Sequence, residues 1–125
     1  MDITPTVAAG QSLIDGYGPG LFRIRGQAWR TSVLVFPEAV STWNAAAYAD
    51  LTPQHLDDVF FHKPEVLLLG TGATFPHLPP KALREACREA GIVLEAMDSG
   101  AACRTFNILL SEGRRVAAAL LLIEG

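Results

Sequence analysis

Three short apolar runs in the second half of the chain, separated by two amphipathic segments, constrain the fold more than any other feature. Val66-Leu67-Leu68-Leu69 is continuously apolar, Ile92-Val93-Leu94 opens a second run, and Val116 to Ile123 is an unbroken apolar stretch. Strands that read as continuous apolar runs, rather than alternating ones, are covered on both faces. Between the first two runs, Pro79-Pro80 opens a helix on which Leu83, Cys87 and Ala90 share a face, and Gly91 ends it. Between the second and third, Asp98 or Ser99 can cap a helix with the apolar stripe Ala102, Phe106, Leu109 and Leu110, which Gly113 closes. Strand, helix, strand, helix, strand is the pattern of two successive right-handed crossovers, so residues 65–123 are predicted to form a βαβαβ unit.

The first half reads differently. Gly10, Gly16, Gly18, Pro19 and Gly20 interrupt any periodicity, so residues 1–20 are expected to be an irregular arm with at most one short strand. From Leu21 the pattern alternates, with Phe22 and Ile24 on one face and Arg23 and Arg25 on the other. Gly26-Gln27 allow a reversal, and Trp29 to Phe36 reads as a returning strand that stops at Pro37. The simplest account is a β-hairpin over residues 21–37 whose arginines form a solvated face. Trp43 is expected to pack against the domain. Thr52 can cap a short helix begun by Pro53, with Leu56, Val59 and Phe60 on one face, ending before Pro64. The expected fold class is α/β, a single domain over residues 1–125 with a hairpin ahead of the crossover unit.

Composition narrows the function classes. With 125 residues there is room for one ordinary domain, and 50% hydrophobic against 18% charged residues excludes general disorder. Ten basic residues against thirteen acidic ones give a formal charge of −3, which lacks the basic field of a dedicated nucleic-acid binder. The longest apolar run is far too short for a membrane span. Residues 1–6 carry neither the basic and apolar regions of a secretory signal nor the arginines of a transit peptide, so the mature chain is expected to be the encoded one. Cys87 and Cys103 form no Cys-x-x-Cys pair and are expected to be reduced and buried, in a cytoplasmic protein.

Ligands of open parallel sheets bind beyond the carboxyl ends of the strands, and two such ends can be located. One is Gly70-Thr71-Gly72 with the long loop running past His77 to Pro80. Its glycines could expose N–H groups to a small anion, although the lysine of a P-loop and the third glycine of a dinucleotide fingerprint are missing, Phe75 standing near the latter position. A plain tight turn explains it more simply. The other end carries Glu95, Asp98, Ser99 and Arg104 within ten residues, enough for a carboxylate pair or an anion clamp. Here too a helix cap with a paired arginine is the simpler reading. Thr105 and Asn107 lie on the less apolar part of the same helix. Asn has poor helix propensity, so a hydrogen bond from Asn107 to a neighbouring loop would account for it. His55, His62 and His77 make no metal constellation, and no catalytic residue, metal or cofactor is assigned.

The stretch from Glu95 through Asp98-Ser99-Gly100 and Cys103-Arg104-Thr105-Phe106-Asn107 to Glu112-Gly113-Arg114-Arg115 and Val116 to Leu120 resembles a family signature. The family is a small one of unknown function that contains a mitochondrial respiratory complex I assembly factor and adipogenesis-associated cytosolic proteins. Gly70-Thr71-Gly72 after its apolar strand, and Tyr17-Gly18 before Phe22 and Ile24, extend the resemblance over residues 14–123. Ser99 stands where the family usually has Thr, and Phe106 where it usually has Tyr. The resemblance implies a three-layer fold with a mixed β-sheet and an added β element, no established activity or cofactor, and protein partners. The leading expectation is a non-enzymatic interaction or assembly protein with an exposed apolar patch that includes Trp29, Trp43 or Phe75. A small-molecule or anion site at residues 70–72 and 98–104, on a binding protein or an enzyme, is the alternative. Self-association is a third reading.

Overall fold

The computed structural model describes residues 10–124, so the first nine residues of the expected arm lie outside the described part. Within it, Ile14–Gly18 (β1), Leu21–Ile24 (β2) and Gln27–Trp29 (β3) form a small antiparallel sheet in the order β1-β2-β3. Val33–Phe36 (β4) and Ala39–Thr42 (β5) follow, then a 3-10 turn at Pro53–Leu56 that leads into helix Asp57–His62 (α1). The remainder runs Val66–Gly70 (β6), Lys81–Glu89 (α2), Val93–Met97 (β7), Ser99–Ser111 (α3) and Val116–Leu120 (β8). The large sheet has the order β5-β4-β8-β6-β7, with β8-β6-β7 parallel and β5-β4-β8 antiparallel. This is the mixed α/β architecture with two βαβ crossovers.

The apolar runs behave as their pattern requires. All five residues of β6 and all five of β8 are buried, and their side chains divide by parity between two cores. Leu67, Leu69, Ala117 and Ala119 pack with Leu34 and Phe36 against Leu83 and Cys87 of α2 and Leu56 and Val59 beside them. Leu68, Ala118 and Leu120 pack with Val33 and Val35 against Ala102, Phe106 and Leu110 of α3, and against Ile14, Phe22 and Ile24 of the small sheet. Each fully buried Leu, Ile or Phe contributes about 1.5–3 kcal/mol relative to exposure, so the two cores together hold the sheet in place. α2 and α3 lie on opposite faces because the chain steps from β6 to β7 in one direction and returns past β6 to reach β8 in the other.

Two local expectations are corrected. The run from Trp29 to Phe36 is not one strand: Trp29 ends β3 in the small sheet, while Val33 begins β4 in the large one. The chain breaks at Ser32, whose carbonyl accepts the Trp43 N–H at 2.8 Å and whose hydroxyl accepts the Leu122 N–H at 2.9 Å. These distant partners hold the corner where the chain passes between sheets. Ala90 is exposed at the C-cap of α2, so only Leu83 and Cys87 form its buried face. Strand β5 was not foreseen. It is reached through the two-residue turn Pro37-Glu38, pairs Phe36 with Ala39, and has little apolar pattern because three of its four residues are exposed.

Candidate functional site

Because β6, β7 and β8 run parallel, their carboxyl ends open on one edge, as the loop argument requires. The chain leaves β6 toward one face of the sheet and β7 toward the other, which is where a crevice would form. The side chains fill it instead. Ser99, wholly buried in the first turn of α3, accepts the Gly72 N–H at 2.9 Å and donates its hydroxyl to the Leu121 carbonyl at 2.7 Å. Its own N–H reaches the Gly72 carbonyl at 2.8 Å. The Thr71 N–H donates to the Met97 carbonyl, and the Leu121 N–H donates to the Gly70 carbonyl, each at 2.9 Å. The Thr71 hydroxyl turns back onto the Thr74 carbonyl. One serine thus joins the ends of all three parallel strands.

The glycines serve this closure. A Cβ on Gly70 would stand 2.8 Å from Ser99 Oγ and 2.9 Å from both Ser99 Cα and Leu120 Cδ2, so only glycine lets α3 approach β6 this closely. Gly72 has φ +99°, a backbone conformation that L side chains rarely adopt. Asp98 caps α3 by accepting the Ala101 N–H at 2.9 Å. The donors at Gly72, Ser99 and Ala101, which an anion would need, are therefore engaged within the chain.

The remaining candidates disperse. Arg104 is exposed and donates to the Tyr17 hydroxyl, with its guanidinium 5.8 Å from that ring's centre. Thr105 turns its hydroxyl onto the Ala101 carbonyl at 2.9 Å. Asn107 grips the backbone of Ile14 at both ends, accepting its N–H at 2.9 Å and donating to its carbonyl at 2.7 Å. That two-point bond pins β1 to α3 across 93 residues and accounts for an asparagine in mid-helix. His77 belongs to another neighbourhood, where its carbonyl takes the Tyr48 hydroxyl at 2.7 Å and its ring lies against Tyr48. Burial pushes the Cys103 thiol up to about 12, with Arg104 opposing and Asp98 assisting, and burial also raises Cys87. Both thiols are buried and free, as expected for core residues. Among the described residues, no three His, Cys, Asp or Glu side chains gather as metal ligands, and no helix is long and apolar enough to cross a membrane.

Glu95 takes part in a different feature. It lies on β7, the edge strand, beside an open groove of about 450 Å³ between β7, α2 and the loop before α2. Phe75, Leu78 and Pro79 of the loop, Arg84 and Arg88 of α2, and Leu94 and Ala96 of β7 line it. Phe75 is 44% exposed, Leu78 65% and Val93 55%. Of the three aromatics expected on an apolar patch, Phe75 is there. Trp43 is buried, with its indole N–H donating to the His55 carbonyl at 2.7 Å, and Trp29 is half-buried against the second core. Sequence reasoning missed the groove because a run of apolar residues does not reveal which strand will stand at the sheet's edge. Leu78, with Phe75, was the available signal, two large apolar residues in a loop otherwise made of Pro, His, Thr, Ala and Gly.

Comparison with known proteins decides the family. The family described as "Protein of unknown function (DUF498/DUF598)" matches residues 14–121. The chain belongs to it. An uncharacterised protein of Rhodobacter capsulatus is 42% identical over 117 residues, covering 94% of this chain and 90% of that one. An NADH dehydrogenase (ubiquinone) 1 alpha subcomplex assembly factor 3 from Danio rerio is 37% identical, covering 91% of this chain and 66% of the relative, so this chain spans just under two thirds of that protein. Among solved structures, one described as an outer membrane protein from Bartonella henselae superposes with a TM-score of 0.83 at 37% identity, over 92% of this chain and 98% of that one.

Proposed function

We propose that this family member is a non-enzymatic interaction protein that works like an assembly factor in the cytoplasm, on a protein partner rather than a nucleic acid, in the biogenesis of a respiratory complex or another membrane protein. The observation that carries the reading is the pair of exposed apolar side chains, Phe75 and Leu78, on an open groove at an unpaired sheet edge. Apolar surface gathered in this way marks a contact site more than scattered single residues do. The relatedness to an assembly factor supports it. The test is mild cross-linking followed by pull-down of the tagged protein from its native cells and mass spectrometry. Respiratory-chain or membrane-insertion subunits should be enriched over a Leu78→Ser control. Equal recovery with wild type and control would defeat the reading.

A second reading keeps a small anion, bound without or with chemistry, at the carboxyl edge formed by Gly70, Thr71, Gly72, Asp98, Ser99 and Arg104. It is favoured by the convergence of the strand ends on one side and by exposed Arg104, which pairs with Tyr17 rather than with a carboxylate. Titration with inorganic phosphate should then move the Arg104 side-chain resonances, and unmoved resonances would remove it.

A further inference from the structure

The outer side of β7 carries unused backbone groups. The Val93 N–H donates to the Glu65 carbonyl, and the Met97 carbonyl accepts the Thr71 N–H, so Val93, Glu95 and Met97 face β6 through their backbone. In a parallel ladder the alternate residues face away, which turns the N–H and C=O groups of Leu94 and Ala96 outward. Their side chains pack toward the α2 core, so the groove begins at the point where a sixth strand's side chains would lie. Natural sheets usually blunt such an edge or use it for pairing.

We propose that β7 receives an extended segment of a different protein, which adds a strand to the sheet; the inference rests on the interaction reading above and names its mode. Charge sets the chemistry of that segment. On the α2 face, Arg84 and Arg88 border the groove, and among the described residues neither forms an ion pair. On the opposite face, Glu95 is exposed, and it also lacks an ion-pair partner among the described residues. The complementary strand therefore alternates, with an apolar residue and a carboxylate toward α2 and a basic residue opposite Glu95. A second copy of this chain fits badly. The symmetric antiparallel register that uses every outward group of both copies pairs Leu94 with the partner's Ala96. That register sets two Glu95 side chains directly opposite each other, and like charges so placed are destabilising.

The test is a titration, followed by nuclear magnetic resonance, of the full chain with a blocked synthetic peptide of about seven residues built on that alternation. A charge-swapped peptide is the comparison. Shifts are expected at Phe75, Arg88 and residues 93–97, with slowed exchange of the Ala96 N–H. Ala96→Pro removes an outward donor without touching the ladder to β6, and should weaken binding by about tenfold or more. Glu95→Lys should reverse the preference between the two peptides, and it keeps the proposal testable if Ala96→Pro does not fold. Shifts elsewhere, no binding of either peptide, or equal binding by wild type and Glu95→Lys would overturn it. So would a concentration-dependent dimer that Ala96→Pro abolishes. Pull-down with Ala96→Pro separates the two ideas. A partner captured as well by this variant as by wild type defeats strand addition and leaves the interaction reading standing. A partner lost with Leu78→Ser but retained by Ala96→Pro has the same meaning.

Discussion

The carboxyl ends of the parallel strands and the outer edge of β7 are built from neighbouring residues and have opposite characters. At the strand ends, backbone groups from Gly70, Thr71, Gly72, Met97 and Leu121 are taken up by one another and by Ser99. Along β7, Leu94 and Ala96 keep theirs, and apolar side chains stand exposed beside them. The location that general rules favour for a ligand is thus used here for stability, and the less conspicuous edge is left open. Position relative to a sheet identifies where a site can form; the disposition of the polar groups decides whether it does.

If the strand ends are structural, substitutions there should cost stability, and substitutions at the groove should not. Gly70→Ala is the severest test, because its Cβ meets Ser99 and Leu120 at under 3 Å and the helix must shift. Overpacking of this kind costs about 3 kcal/mol, read as a lowered midpoint in urea unfolding. Ser99→Ala should cost about 2 kcal/mol in the same measurement, since it leaves the Gly72 N–H and the Leu121 carbonyl buried without that partner. Near-neutral results for both would break the comparison. Leu78→Ser at the groove should change stability by no more than about 0.5 kcal/mol while reducing partner capture, because the side chain is largely in solvent. A large loss of stability would mean that the groove is core.

The smallest effect concerns Glu65. The Arg114 side chain donates to it at 2.8 Å and holds its carboxyl below the ordinary value of 4.5. A carboxylate with a lowered folded pKa contributes stability that is present above the unfolded value and is lost as pH falls through the folded one. Glu65→Gln should therefore narrow the gap in melting temperature between neutral pH and pH below about 4, by a small amount because the pair is solvated. An unchanged gap would show that this ion pair does not help hold β6 to β8.

The parts of the fold that were legible are those in which burial on both faces writes itself into composition. Val66 to Leu69 and Val116 to Leu120 are apolar at every position because two helical layers cover them, and Gly91 and Gly113 mark the helix ends with positive φ. The break at Ser32 was not legible, since Trp29 and Val33 to Phe36 look continuous until Trp43 and Leu122 supply the partners that turn the chain. Strand β5 was hidden for the opposite reason, being an exposed edge with no apolar alternation. Of the candidate site, Asn107 showed itself through poor helix propensity, and its bonds to Ile14 explain it. Ser99 looked like one of two alternative caps, and its part in joining three strands depends on residues far away in the chain.

The sequence by itself determined the order of elements in the C-terminal half, the burial of both cysteines and the family to which the chain belongs. These follow from local periodicity, from turn residues and from residue types that carry their own preference. Only the tertiary structure decided that Ser99 closes the strand ends, that Leu78 stands exposed on a groove, and that β7 rather than another strand stands at the edge. Each of these depends on which distant segments meet, and the pattern along a single chain is the same whether or not a neighbour arrives to take up its polar groups.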